Sequence, residues 1–163
     1  ADLPPGKLAR AQHAEVQRAR LGTEMGVDLS AVSTSILLDS IEYHLFPNAC
    51  FFPGVVIPLI YRFRPLGVDR CVHDILLLQP VPDNGERPPP AAKESLDIDT
   101  PYVALESFNQ NRLAAVLDED TSNFKRQWAG IKASAKGKQT LANYQEVRIR
   151  HFHAALDEYL SAD

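Results

Sequence analysis

Cysteine is nearly absent from this sequence: Cys50 and Cys71 are the only two. Two cysteines do not build a disulfide scaffold, so reduced thiols in a cytoplasmic protein are the expectation. Basic charge is also short. Seventeen Lys and Arg stand against twenty-one Asp and Glu, a net charge of −4. No cationic surplus is left for phosphates, which argues against nucleic acid as a partner. A long apolar run is missing as well. The longest mostly apolar stretch, Ala49 to Tyr61, is broken by Pro53 and Pro58 and falls short of the roughly 20 residues a helical membrane span requires. No charged segment followed by an apolar one opens the chain, so no signal peptide is expected. A start at Ala1 rather than Met points to residues removed upstream.

What is present is ordinary for one soluble domain: 45% hydrophobic and 23% charged residues in a chain of 163. A chain of this size can bury roughly two-thirds of its unfolded surface. Residues 1–31 read as a helical lead-in, because PGKLARAQHAEVQRARLGTE is rich in Ala, Arg and Gln. Its apolar face, Leu8 and Ala11 with Ala19, is thin and interrupted by Glu15, which predicts a helix on a surface or an interface. Residues 32–82 change character. SILLDS, IEYHLF, CFFPGVVIPLIYRF and DRCVHDILLLQPV are rich in β-branched and aromatic residues between turn signals. They predict three or four strands of an antiparallel sheet, with Asp39–Phe46 as a strand buried on one side. Pro53 and Pro58 cannot donate ladder hydrogen bonds and predict an edge or bulges. A proline-rich loop follows over 83–102; the stretch 81–102 holds five of the twelve prolines, and loops this long often cover a site or an interface. Residues 103–163 read as helices. On the last, Leu141, Tyr144, Ile149, Phe152, Ala155, Leu156, Tyr159 and Leu160 share one arc, as on an amphipathic helix lying on something apolar. Strands followed by long helices give α+β, an antiparallel sheet packed on a long C-terminal helix.

The candidate metal groups are scattered. Cys71-Val-His73 has the form of one half of a Rieske iron–sulfur site, but no cysteine follows Cys71, so a strand that contains both residues is the better reading. His151 and His153 are two apart, which on a helix places them about 160° from one another, too far round to share an ion. His13 and His44 stand alone. Asp118, Glu119 and Asp120 lie in LDEDTSN, which reads as a solvated helix segment or an N-cap cluster built on Asp120, Thr121 and Ser122. A carboxylate serves iron only with histidines beside it, as in the two-histidine, one-carboxylate triad. No H-x4-H occurs here.

In order along the chain come EYHLFPN, LIYRFRPLGVDR, DILLLQPVPDNGERPPPA, LDEDTSNFKRQWAGIKAS and LANYQEVRIRHFHAALDEYL. Together, over roughly residues 35–161, they resemble the C-terminal catalytic part of the large (α) subunit of Rieske non-haem iron ring-hydroxylating oxygenases. The resemblance implies a helix-grip fold of the START/Bet v1-like kind, expected to be incomplete at its N-terminal end. It implies a mononuclear Fe(II) that activates O2 beside an aromatic or other apolar substrate. Electrons would come from a Rieske [2Fe–2S] cluster in a preceding domain, fed by a reductase or ferredoxin, and a homotrimer is the usual assembly. The carboxylate ligand of such enzymes commonly lies in Q-D-x-x-N, matched here by Glu119-Asp120-Thr121-Ser122-Asn123. Asp120 is therefore the implied metal ligand, with Asp118 the fallback; Glu119 departs from the usual Gln.

The two histidine ligands of the family belong to an H-x4-H helix ahead of the sheet, which these residues lack. The chain alone is therefore expected to be inactive, as the substrate- and iron-binding end of an oxygenase. Two other readings stand beside it. One is a non-catalytic helix-grip module that holds an apolar small molecule, since fold does not fix function. The other is an oligomerisation piece. Sheet residues such as Val55, Ile57 and Leu59, or their alternating neighbours, are the candidates to line a pocket.

Overall fold

The computed structural model describes residues 3–78, 81, 85–108 and 113–162. The ends of the expected segments at 79–80, 82–84 and 109–112 lie outside the described residues. The fold class is α+β, with helices and a four-stranded antiparallel sheet. The chain divides into two compact units, Ala1–Pro89 and Pro90–Asp163.

The first unit opens with α1, Ala9–Met25. It ends where Gly26 takes φ 66°, a left-handed conformation that favours glycine, and returns its N–H to the Gly22 carbonyl. The buried face of α1 is not the expected Leu8, Ala11 and Ala19, all of which are exposed. Ala14 and Leu21 are buried instead. Arg18, between them on the same face, explains the difference. Its Nε and Nη2 donate to the carbonyls of Leu29 and Val32 at 3.1 and 2.8 Å. A long aliphatic stem can line a core while its head satisfies backbone acceptors, so a charged letter sits in the middle of a packed face.

SILLDS, expected as a strand, forms a short helix α2, Thr34–Leu38. Ser33 caps it by accepting the Ile36 N–H, and Leu37 packs with Ala14, Leu21 and Leu29. The local cap signal and this tertiary contact override the β-propensity of the segment. Arg10 and Asp39 tie the two helices at 2.7 Å. Gly54 passes close beneath α2; a Cβ there would lie 3.2 Å from the Ile36 carbonyl oxygen, and the approach lets Val55 reach the α1–α2 cluster.

The sheet is a meander of β1 (Tyr43–Leu45), β2 (Ala49–Phe51), β3 (Leu59–Pro65) and β4 (Cys71–Leu77). The expected strand Asp39–Phe46 shrinks to Tyr43–Leu45, and all three of those residues are exposed rather than buried on one side. Pro53 and Pro58 fall in the β2–β3 connection, where their missing N–H groups interrupt no ladder. The β3–β4 pairing runs for seven residues and sets two faces. On one, Arg62 and Arg64 converge on Asp74 at 2.8 and 2.7 Å. The hydrogen bond from Arg64, then that from Arg62, holds the Asp74 carboxyl at about 2. On the other, Phe63 stacks on His73, with ring centroids 4.5 Å apart, and Tyr61 meets the same imidazole edge-on at 5.2 Å.

Two predictions come from this unit. Leu37 is 1% exposed, so Leu37→Ala is expected to destabilise the chain by about 2–5 kcal/mol, read as a lower urea midpoint. His73 has a pKa below its ordinary 6.5 because burial disfavours the imidazolium, with Asp74 opposing. The unfolded chain then binds the proton more readily, so this stability is present above 6.5 and declines as pH falls below it. The urea midpoint should drop between about pH 7.5 and about pH 5.5, the range in which histidine titrates, and drop less in His73→Phe. An equal slope in both chains would contradict this.

Candidate carboxylate site on the long helix

In the second unit, α3 (Leu113–Ala133) carries the acidic run LDEDTSN in its interior rather than at its start. The expected N-cap cluster is therefore not formed. Thr121 Oγ1 donates back to the Leu117 carbonyl at 2.7 Å and Ser122 Oγ to that of Glu119 at 2.8 Å; inside a helix these hydroxyls find carbonyls within their own turn. Ala114 and Leu117 are buried on the helix, and Phe108 is buried in the segment before it.

Asp118 and Asp120 have different surroundings. Asp118 is half-buried, and its two oxygens accept the N–H groups of Tyr102 and Val103 at 2.6 and 3.2 Å. Those residues begin the 3-10 turn η1, Tyr102–Ala104. Burial, and then the charge of Asp118, pushes the Tyr102 phenol upward in pKa. Two residues on along α3, Asp120 points about 160° away from Asp118. It is exposed and takes no hydrogen bond or ion pair among the described residues. Asp118 is thus already engaged with two amides, whereas Asp120 is not engaged among the described residues.

A two-histidine, one-carboxylate set needs two imidazoles beside its carboxylate. The rest of the set is not beside Asp120: among the described residues no three His, Cys, Asp or Glu side chains gather as a metal site. His151 and His153 are both exposed on α4 (Val147–Leu160). Cys71 and His73 lie on β4 as expected of a plain strand, His44 is exposed on β1, and His13 is exposed on α1 beside Gln17.

The proposed pocket residues are placed differently from one another. Leu59 is fully buried and Val55 joins the α1–α2 cluster, so these two serve the core of the first unit. In the second unit an open cleft of about 420 Å³ runs along α4, lined by Gln139, Leu141, Arg150, His153, Ala154 and Asp157. Its mixture of cation, imidazole and carboxylate does not suit an apolar ring. No residue of α4 is buried. Of its expected apolar arc, Phe152, Ala155 and Leu156 are half-buried while Ile149, Tyr159 and Leu160 stay exposed. Leu141 and Tyr144 precede the helix, whose N-cap residue Glu146 turns its carboxylate back to the Ala142 N–H.

The capping role of Asp118 is the feature that sequence reasoning missed. Its signal was Pro101 before Tyr102, a position that cannot offer a capping side chain.

An α+β chain with an antiparallel sheet and an interior helix carboxylate is the class defined so far. The family model described as ring hydroxylating alpha subunit (catalytic domain) matches residues 4–162. The chain belongs to that family of oxygenases, which are oxidoreductases. No curated protein and no solved structure matches it.

The two thiols offer a check on the sheet geometry. Cys71 is exposed, whereas Cys50 is half-buried and its thiol is pushed up to about 11 by burial and by Glu42. At about pH 8 roughly one Cys50 in a thousand is thiolate, the reactive form. Iodoacetamide should label Cys71 and spare Cys50 in the folded chain, as peptide mass spectrometry would show. Equal labelling would contradict the pairing of β1 and β2 that sets Cys50 near Glu42.

Proposed function

We propose that this chain is the C-terminal substrate- and iron-binding part of a Rieske-type aromatic-ring-hydroxylating oxygenase, with Asp120 as the carboxylate ligand of a mononuclear Fe(II). The observation that carries the reading is the family match over residues 4–162. The exposed, unengaged carboxylate of Asp120 at the Q-D-x-x-N position supports it. In this reading O2 and an aromatic or other apolar compound are the substrates, and iron supplies the activation of O2. Two imidazoles from outside this chain complete the ligand set. Electrons come from a Rieske [2Fe–2S] cluster served by a reductase or ferredoxin, the assembly is a homotrimer, and the compartment is the cytoplasm. The helix-grip arrangement belongs to the same proposal; the apolar arc left open on α4 is what supports it.

Within that reading the side chain of Asp120 holds the metal and does not transfer a proton. Asp118, with both oxygens occupied, takes no part in ligation. Affinity for a divalent ion depends on donor number and geometry, so the metal content of this chain alone is expected to be unchanged by Asp120→Ala. In the α subunit that carries it, Asp120→Ala should empty the mononuclear site while the cluster iron stays. Iron content per subunit, measured by inductively coupled plasma spectrometry, checks this. An unchanged content in the subunit would remove Asp120 from the site.

A further inference from the structure

The paired backbone of the first unit's sheet ends at Leu78, whose N–H donates to the Pro58 carbonyl. In the second unit the chain is held from Asp99, which pairs with Lys125 of α3, and from Tyr102 and Val103, whose N–H groups donate to Asp118. Between these anchors, residues 86–97 form neither helix nor strand, and residues 85–95 are all exposed. The division between the two compact units falls inside that stretch, at Pro89 and Pro90. Its residues explain why nothing regular forms. In Arg87-Pro88-Pro89-Pro90 three successive residues have no N–H to give a helix or a ladder, and each keeps the residue before it out of the helical region. Such a run favours the extended polyproline conformation, whose backbone is solvated rather than paired. Besides the prolines, Ala91 and Ala92 are the only apolar side chains between 85 and 95, too little to fold the stretch onto a neighbouring surface.

We infer that residues 86–95 are a proteolytic joint: a protease divides the chain there, and each unit keeps its own fold after the cut. A protease takes its substrate as an extended strand. Bonds inside helices and sheets offer one only after local opening, whereas an exposed segment without secondary structure offers it at once. The proline run also selects the bond. Trypsin does not cleave ahead of proline, so Arg87–Pro88 resists it and Lys93–Glu94 is the tryptic bond of the joint. Water adds across that peptide bond and leaves a carboxylate on Lys93 and an amine on Glu94. A glutamate-specific protease has Glu86 and Glu94 in the same stretch. Competing basic residues outside helices and strands sit in hydrogen-bonded turns. The Arg70 carbonyl accepts the Leu66 and Gly67 N–H groups, and Lys136 lies in the turn that the Gly137 N–H closes on Ser134. The interactions to be kept lie within one unit each: the Leu37 cluster and the seven-residue β3–β4 pairing in the first, the Asp118 bonds in the second.

The test treats the whole chain with a trace of trypsin and, separately, of a glutamate-specific protease, and follows the fragments by intact mass. Trypsin should first yield fragments 1–93 and 94–163, cutting after Lys93 about tenfold or more faster than after any other Lys or Arg, since the other bonds wait on local opening. The second protease should open the chain first after Glu86 or Glu94. Pro88→Ala should add a tryptic cut after Arg87 at a rate comparable to that after Lys93. In the cut material Cys50 should still be spared by iodoacetamide, and the Tyr102 and Val103 amides should exchange as slowly as in the intact chain. First cuts by both proteases outside 86–95, or a bond after Arg87 that stays intact in Pro88→Ala, would overturn the joint. Labelling of Cys50, or faster exchange at Tyr102 and Val103, as soon as the chain is cut would overturn the claim that each unit keeps its fold.

Discussion

The guanidinium of Arg18 and the carboxylate of Asp118 have the same physical task in the two units. Each bonds to a pair of backbone groups at a turn: carbonyls at Leu29 and Val32, amides at Tyr102 and Val103. Buried backbone groups must be paired, and leaving one unpaired costs more than forming the bond gains. Few side chains here are fully enclosed; Leu37, Leu59 and Leu117 are the largest. With so little apolar packing to define positions, directional bonds from charged side chains set how segments lie on one another within each unit.

The sheet follows the same rule. Its long pair, β3 and β4, could slip by two residues and keep its alternation, since both strands are largely apolar or aromatic on one face. Arg62 and Arg64 converging on Asp74 oppose that slip, because only one register brings both guanidinium groups to one carboxylate. The register in turn puts His73 against Phe63 and Tyr61. Burial there lowers the basicity of His73, and the charge of Asp74 opposes the shift. These exposed pairs contribute little energy individually; what they add is choice among near-equivalent alignments.

Sequence pattern made the fold class, α1, the sheet region and the helical second half legible, because propensity and turn residues act locally. It failed where a tertiary contact decided the outcome. SILLDS has the letters of a strand, yet Ser33 caps it and Leu37 finds a place between Ala14 and Leu21, so it winds into a helix. The apolar face of α1 was misplaced because Arg18 belongs to it, and a hydropathy pattern treats every arginine as solvent-facing. LDEDTSN could be read as a solvated helix segment or as an N-cap cluster, and the first holds: in the interior of α3 its hydroxyls turn to carbonyls of their own helix. For the site, the proposal of Asp120 rests on resemblance to a family, since spacing alone offers no histidines beside it.

The spacing of Asp118 and Asp120 explains how one short acidic run can meet two different environments. Carboxylates one turn apart would face the same way, compete for the same partners and repel each other at close range. Two residues apart they lie on opposite sides of α3, so each meets a separate environment: one a half-buried pair of amides, the other open solvent. The first is then committed to backbone by geometry that the second cannot reach. Glu119, between them and exposed, disturbs neither arrangement. An i,i+4 spacing would have set the two acids on one face of the helix instead.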